Sequence, residues 1–125
     1  MDSQLDQILK DLIIISSEKD DQLNLIGNGN VGTEMLLNFG ISGQNINDLL
    51  KHKTINKNQK EELEKFQNYI AFEADLDDDL DSQQWKETRI MAKQLLVILN
   101  ANNFKVYLDK TAKFWEAKLD KVNNP

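Results

Sequence analysis

The chain contains 125 residues, 15 of them basic and 21 acidic, which gives a formal net charge of −6 at pH 7. Most domains hold ~100–150 residues, so we expect residues 1–125 to fold as a single domain. The chain has no cysteine and one histidine, His52, which excludes disulfides, thiolate metal sites and any site that needs two imidazole groups. The composition therefore favours a globular protein stabilised by an apolar core alone.

Charge and hydropathy also bear on the compartment and the partner. The chain begins Met1-Asp2 and is acidic where a secretory signal is basic. Its longest apolar run, residues 12–15, is far shorter than the ~20 residues that span a bilayer. Surplus carboxylates disfavour nucleic acid and anionic membranes, which proteins bind through lysine and arginine. The sequence thus predicts a cytoplasmic protein without membrane contact, whose partner is a basic protein.

Helical spacing of apolar residues begins near the N-terminus. The first amphipathic helix is predicted from five residues with i, i+3, i+4 spacing: Leu5, Ile8, Leu9, Leu12 and Ile13. This helix either breaks near Ser17 or continues to Ile26. Residues 27–32 are rich in glycine and asparagine, as is typical of a loop. Thr33 can cap a short helix that ends at Gly40. The apolar residues of that helix are Met35, Leu36, Leu37 and Phe39.

The middle of the chain predicts three more helices. The first is short and carries Ile46, Leu49 and Leu50. Asn56 or Asn58 begins the second, whose apolar residues are Leu63, Phe66 and Ile70. Asp81 or Ser82 caps the third. The residues of this third helix predicted to face the core are Ile90, Met91, Leu95, Ile98 and Leu99.

The end of the chain shows the most regular helical spacing. A final helix is predicted from Leu108, Ala112, Trp115, Leu119 and Val122. Residues 104–108 alternate between apolar and polar side chains, so a strand is the alternative there. Helical periods without internal proline favour short connections between packed helices. We therefore predict an all-α fold, a single compact bundle of five or six helices.

Three glycines match the G-x-G-x-x-G pattern of dinucleotide-binding loops: Gly27, Gly29 and Gly32. That pattern needs a buried strand before it and an acidic residue at the end of a second strand. Residues 22–26 are too short and polar for such a strand, and Asp48, ~20 residues further on, lies in a helical pattern. We therefore predict an interhelical loop and no cofactor, and keep a nucleotide-binding enzyme only as an alternative.

The run of aspartates from Asp75 to Asp81 resembles the start of an EF-hand calcium loop. Aspartate occupies the first four odd-numbered ligand positions of such a loop. However, Leu80 replaces the glycine of the turn, and Lys86 replaces the bidentate glutamate at position 12. We therefore predict no metal site here.

A basic run lies between two predicted helices and resembles the surroundings of a helix-turn-helix. It contains Lys51, His52, Lys53, Lys57 and Lys60. Three glutamates follow directly, and the negative net charge opposes DNA. His52 lies among lysines, where we expect solvent exposure, whereas a general base is usually partly buried. We predict a solvated loop and no catalytic residue, with a helix-turn-helix DNA-binding regulator as the alternative.

Acidic residues are concentrated in one stretch between two predicted helices. Six of the 21 acidic residues lie within residues 73–81, and aromatic side chains flank them. Repulsion between like charges disfavours such a cluster unless it serves a purpose, and aromatic side chains often anchor interfaces. The predicted partner-binding residues are Tyr69, Phe72, Glu73, Asp75, Asp77, Asp78, Asp79, Asp81 and Trp85. We expect a non-enzymatic immunity protein or antitoxin that neutralises a basic, nuclease-like toxin by direct binding.

Overall fold

The computed structural model describes residues 3–27, 29–109 and 116–122, and shows a mostly helical chain with a small two-stranded sheet. The helices are α1 (Ser3–Ser16), α2 (Lys19–Ile26), α3 (Val31–Ser42), α4 (Ile46–Lys51), α5 (Lys57–Asn68) and α6 (Gln83–Ile98). A 3₁₀ turn, Gly43–Asn45, precedes α4, and a π-helical turn, Tyr69–Glu73, continues α5. The strands are β1 (Phe104–Asp109) and β2 (Glu116–Lys121).

Side-chain caps determine where two of the helices begin. The Asn56 side chain accepts a hydrogen bond from Gln59 N, and the Gln59 side chain accepts one from Asn56 N. This reciprocal pair is a capping box and satisfies two amides that α5 leaves without intrahelical partners. At α6, Ser82 Oγ accepts from Trp85 N. Of the alternatives that the sequence left open, Asn56 and Ser82 are therefore the observed caps.

The core lies where α1 packs against α3 and α6. Ile8, Leu12 and Ile15 of α1 are fully buried. Phe39 of α3 meets Phe66 of α5 edge to face, with ring centroids 5.5 Å apart. Burial of each large apolar side chain contributes about 1.5–3 kcal/mol, so these contacts provide the main stabilisation of the helical layer.

A buried amide defines the break between α1 and α2. Gln22 is fully buried, and its Nε2 donates to Ile14 O and Ile15 O at 3.1 and 3.0 Å. Carbonyls at a helix C-terminus have no intrahelical partner, so Gln22 satisfies the end of α1 from the next helix. Of the two possibilities left by the sequence, a break near Ser17 is the one observed.

The predicted final helix is wrong, because residues 104–109 and 116–121 form an antiparallel hairpin. Val106 pairs with Leu119, and the side chains of β1 alternate between the α1 side and solvent. Residues such as Leu108 and Leu119 satisfy helical spacing by coincidence, since pairing in the hairpin also places apolar side chains on one face. Ala112 and Trp115, which supported the helix prediction, lie outside the described residues. The strand alternative for residues 104–108 is confirmed.

One predicted core residue of α6 lies at the surface. Ile90 is 56% exposed, because Leu95, Leu96 and Ala92 occupy the face that packs on α1. Its prediction as a core residue is therefore wrong.

Among the described residues, no helix has the length and apolar character required to cross a bilayer.

Candidate protein-binding surface

The acidic loop, which we define as residues 73–81, joins the π-helical turn to α6. Asp77 Oδ1 accepts a hydrogen bond from Asp79 N at 2.8 Å, and Asp79 Oδ1 accepts one from Asp81 N at 3.2 Å. Aspartate commonly bonds to the backbone two residues ahead, which fixes a turn without regular secondary structure. Two of the clustered carboxylates therefore shape the loop itself.

A third carboxylate of the loop caps a distant helix. Asp78 Oδ1 accepts from Thr33 N at 2.8 Å, and Asp78 Oδ2 accepts from Thr33 Oγ1 at 3.2 Å. Thr33 lies in the first turn of α3, where backbone amides lack intrahelical partners and negative charge is favoured. Asp78 therefore fastens the acidic loop to the N-terminus of α3.

Gly32 makes this attachment possible by letting the two backbones approach closely. A Cβ atom at Gly32 would lie 2.2 Å from Asp77 O and 3.1 Å from Asp78 Cα. The last glycine of the G-x-G-x-x-G pattern thus accommodates the acidic loop. Residues 22–26 lie in helix α2, so the strand that a dinucleotide-binding loop requires does not precede the glycines. The expected connection between two helices is confirmed, but it ends at Asn30 instead of Gly32, because Val31 and Gly32 belong to the first turn of α3.

Asp81 connects the acidic loop to α2 through a surface ion pair. Lys19 Nζ lies 2.7 Å from Asp81 Oδ2, and both side chains are substantially exposed. The hydrogen bond from Lys19, followed by its positive charge, lowers the pKa of Asp81. Exposed ion pairs contribute little to stability, so this contact mainly orients the two side chains.

Trp85 does not lie at the surface, which corrects its prediction as a partner contact. Its side chain is fully buried, and Nε1 donates to Asp77 O at 2.7 Å. A buried indole N–H needs an acceptor, and the acidic loop supplies one. Trp85 therefore stabilises the acidic loop from the core instead of contacting a partner.

A buried arginine, which the sequence does not single out as a functional residue, also holds the loop. Arg89 Nη2 donates to Leu80 O at 2.7 Å and to Gln22 Oε1 at 2.9 Å. Arg89 is only 7% exposed. The guanidinium group thus links α6, the acidic loop and the amide that caps α1. Its status as the only arginine of the chain was the one available signal, and it did not indicate these partners.

Three residues of the predicted interface remain free for contact, and we call them the 72–75 patch: Phe72, Glu73 and Asp75. Phe72 is 84% exposed, and both carboxylates are exposed. Within the described ranges, neither carboxylate makes a side-chain hydrogen bond or an ion pair. Asp75 has a left-handed backbone, with φ of 49°, which ends the π-helical turn. Tyr69 is half-buried at the start of that turn.

The carboxylates of the loop are not arranged as an EF-hand. Asp77 and Asp79 bond to backbone amides, and Leu80 is buried in the core at the position where calcium loops require a glycine turn. In residues 3–27, 29–109 and 116–122, no group of three acidic or histidine side chains is placed to hold a metal ion.

The basic run extends from the end of α4 through the following turn into α5. Lys51 at the end of α4 and His52 and Lys53 in the turn are exposed, as the sequence predicted. The lysines of α5 are partly neutralised, because Lys60 pairs with Glu64 and Lys65 with Glu62. The two helices and their turn thus resemble a helix-turn-helix in order, although the second helix carries carboxylates on its outer side.

No family model matches the chain, and no curated protein or solved structure is significantly similar to it.

Proposed function

We propose that residues 1–125 form one compact helical domain that acts in the cytoplasm as an inhibitor of a basic protein, in the manner of an immunity protein or antitoxin. The proposed partner is a nuclease-like toxin, and the proposed action is direct binding without catalysis. The observation that carries the proposal is the 72–75 patch, where an 84% exposed phenylalanine adjoins two carboxylates without partners among the described residues. An aromatic anchor beside unneutralised charge is the composition expected of an interface with a basic protein.

We assign this contact to fewer residues than the sequence suggests, because some of the acids already have partners within the fold. Asp77 and Asp78 already accept hydrogen bonds within the fold, whereas Glu73 and Asp75 do not. A cationic side chain of the partner would therefore meet its least compensated acceptors at Glu73 and Asp75. The remaining acids of the loop add negative potential, which accelerates encounter with a basic surface and weakens in salt.

Phe72 is the expected centre of the contact. Exposure of a large aromatic ring to water is unfavourable, and its burial against a partner is worth about 1.5–3 kcal/mol. The neighbouring carboxylates would then surround the ring with charge, as the polar rim of an interface does. Phe72→Ala is expected to weaken binding about 10–100-fold, which corresponds to 1.4–2.8 kcal/mol.

The test is to co-express the chain with each protein encoded by the genes beside its own. We expect one of these proteins to arrest growth when it is expressed alone. Co-expression of this chain should restore growth, and this chain should bind that protein. Phe72→Ala and the double variant Glu73→Gln, Asp75→Asn should lose rescue, whereas Ile90→Ala, at another exposed apolar position, should keep it. If no basic neighbour binds, or if the patch variants rescue as well as the parent chain, the proposal fails.

The alternative is a DNA-binding regulator that would use α4, the following turn and α5 as a helix-turn-helix. The observation that favours it is the exposure of Lys51, at the end of α4, and of Lys53, in the turn. Such binding would appear at low salt and weaken on substitution of these lysines by alanine, because each phosphate contact releases counterions. DNA affinity that is unchanged by the substitutions would remove this alternative.

A further inference from the structure

The backbone of β1 has one edge that is not paired with β2. Val122 N donates to Asn103 O at 2.6 Å, and these two residues are opposite each other in the antiparallel register. Hydrogen-bonded pairs alternate along such a ladder, so the odd-numbered residues of β1 exchange hydrogen bonds with β2. The N–H and C=O groups of Val106 and Leu108 therefore point away from β2.

The outer edge of β2 provides a check on this alternation. The same register makes Ala117 an outward-facing residue of β2. Its carbonyl oxygen indeed accepts a hydrogen bond from Lys10 Nζ of α1, at 3.3 Å. By contrast, the outward groups of Val106 and Leu108 form no hydrogen bond with any residue that the structure describes. The edge of β1 thus has outward backbone groups available for pairing.

A groove of about 370 Å³ lies along this edge. One wall is formed by residues 104–108, and the other by the corner between α1 and α2. Ile13 and Leu25 supply an apolar part of the opposite wall, while Asp21 and Asn24 supply polar groups. The groove therefore combines unpaired backbone groups with an apolar surface and a carboxylate.

We propose that this groove is a strand-addition site for an extended segment of a partner protein. Outward-facing residues of a strand recur every ~6.6–6.8 Å, and another extended backbone presents donors and acceptors at the same interval. Alternate side chains of the added strand would face Ile13 and Leu25, which favours aliphatic residues at those positions. Recognition thus requires an extended polypeptide with alternating aliphatic side chains.

The charge beside the groove specifies one further feature of the segment. Asp21 is exposed and forms no side-chain hydrogen bond or ion pair within the described ranges. Asp20 precedes it, and Asp20, Asp79 and Asp81 all act electrostatically on Lys19 at the start of α2. The acidic surface therefore extends from the acidic loop along α2 to the groove. The other charged residue that lines the groove, Lys105, belongs to the β1 wall. A lysine or arginine of the segment on the α2 side would therefore meet the acidic surface, and the segment is a basic one.

A synthetic peptide tests the proposal without knowledge of the natural partner. The probe is a capped nine-residue peptide of alternating valine and threonine with one central lysine, added to the full ¹⁵N-labelled chain. We expect amide exchange at Val106 and Leu108 to slow about tenfold or more at saturation, because bound peptide protects their N–H groups. Exchange at Lys105 and Tyr107 should change less, since these amides already bond to β2.

Two methylated versions of the peptide form the decisive control. Both have the same side chains, but each carries N-methyl groups on a different alternate set of its amides. Strand addition predicts that one version binds like the parent peptide and that the other loses binding, since only one set of amides faces β1. Equal binding of the two versions would overturn the proposal, as would unchanged exchange at Val106 and Leu108.

Variants of the protein test the charge requirement separately. Asp21→Lys should weaken binding of the peptide about tenfold, whereas Asp48→Lys, at an exposed position on α4, should change it less than about twofold. If both variants weaken binding equally, the peptide responds to net charge and the assigned groove is wrong. None of these measurements involves the 72–75 patch, so the two proposals stand or fall independently.

Discussion

The carboxylate of Asp78 caps helix α3 by accepting hydrogen bonds from both the backbone and the hydroxyl group of Thr33. The acidic loop is therefore part of the fold as well as a charged surface. Asp78 is bound within the fold, whereas Asp75 is not, although the two residues are only three positions apart. This difference separates variants that affect stability from variants that affect binding.

Removal of the Asp78 cap should destabilise the protein. We expect Asp78→Ala to reduce the free energy of unfolding by about 0.5–2 kcal/mol, the usual cost of a lost helix cap. Urea denaturation followed by circular dichroism measures this change. Asp75→Asn serves as the control and should be close to neutral, because asparagine also tolerates the left-handed backbone and the carboxylate makes no hydrogen bond or ion pair with the described residues. Equal losses for both variants would contradict the assigned role of Asp78.

Gly32 and Gly40 should respond in opposite directions to alanine. Gly32→Ala places a methyl group 2.2 Å from Asp77 O, so we expect overpacking to lower the free energy of unfolding by about 1–3 kcal/mol. Gly40 also lies in α3, but a Cβ there has nothing within 4 Å. Gly40→Ala should therefore stabilise the helix by about 0.5–1 kcal/mol. Thermal unfolding of the two variants checks the prediction, which fails if Gly32→Ala is as stable as the parent chain.

Arg89 should be required for stability even though it has no place in the proposed interface. Arg89→Met leaves Leu80 O and Gln22 Oε1 without their donor in a buried environment. An unsatisfied buried polar group costs about 1–3 kcal/mol. Because two acceptors lose their donor, we expect the free energy of unfolding to fall by at least this amount. Lys93→Met on the same helix is the control, because its side chain is exposed. A neutral effect of Arg89→Met in chemical denaturation would refute the network.

Asp11 should make stability depend on pH in the opposite sense to a salt-bridged carboxylate. Its side chain is buried, and desolvation raises its pKa above the usual value of 3.8. At pH values between 3.8 and the raised pKa, the folded protein still holds the proton of Asp11, whereas the unfolded chain has lost it. The contribution of Asp11 to stability therefore falls as pH rises through the raised pKa. Asp11→Asn removes this ionisation and can still accept the hydrogen bond from Gln7.

We therefore expect Asp11→Asn to be more stable than the parent chain at about pH 7, with the difference shrinking towards about pH 4. Urea unfolding at several pH values between these limits measures the trend. Ile90→Ala, at an exposed position without an ionisable side chain, should show no such trend. A difference that grows on acidification would show that the folded protein favours the charged carboxylate of Asp11, against the prediction.

Local sequence signals were sufficient for most of the helical layer. The spacing of Ile8 and Leu12 and the caps of α5 and α6 act within a few residues, so the sequence predicts these helices. It reduces each cap to two neighbouring candidates, Asn56 or Asn58 and Asp81 or Ser82. The sequence also predicts the exposed lysine-rich turn around His52. Where only local periodicity was available, as for Leu108 and Leu119, it could not distinguish a helix from a hairpin, because pairing between strands is a long-range property.

For the acidic loop too, some features can be predicted from the sequence and others depend on the tertiary structure. That residues 73–81 are crowded with carboxylates and flanked by aromatic rings follows from the order of residues alone. Which of these carboxylates are available depends on the packing of distant elements, because the partners of Asp78 and Asp81 lie far away along the chain, at Thr33 and Lys19. In the folded protein Trp85 is buried, whereas Phe72 is exposed. Composition fixes how much charge a segment carries, but the packing of distant elements determines which groups are satisfied within the fold and which remain free to meet a partner.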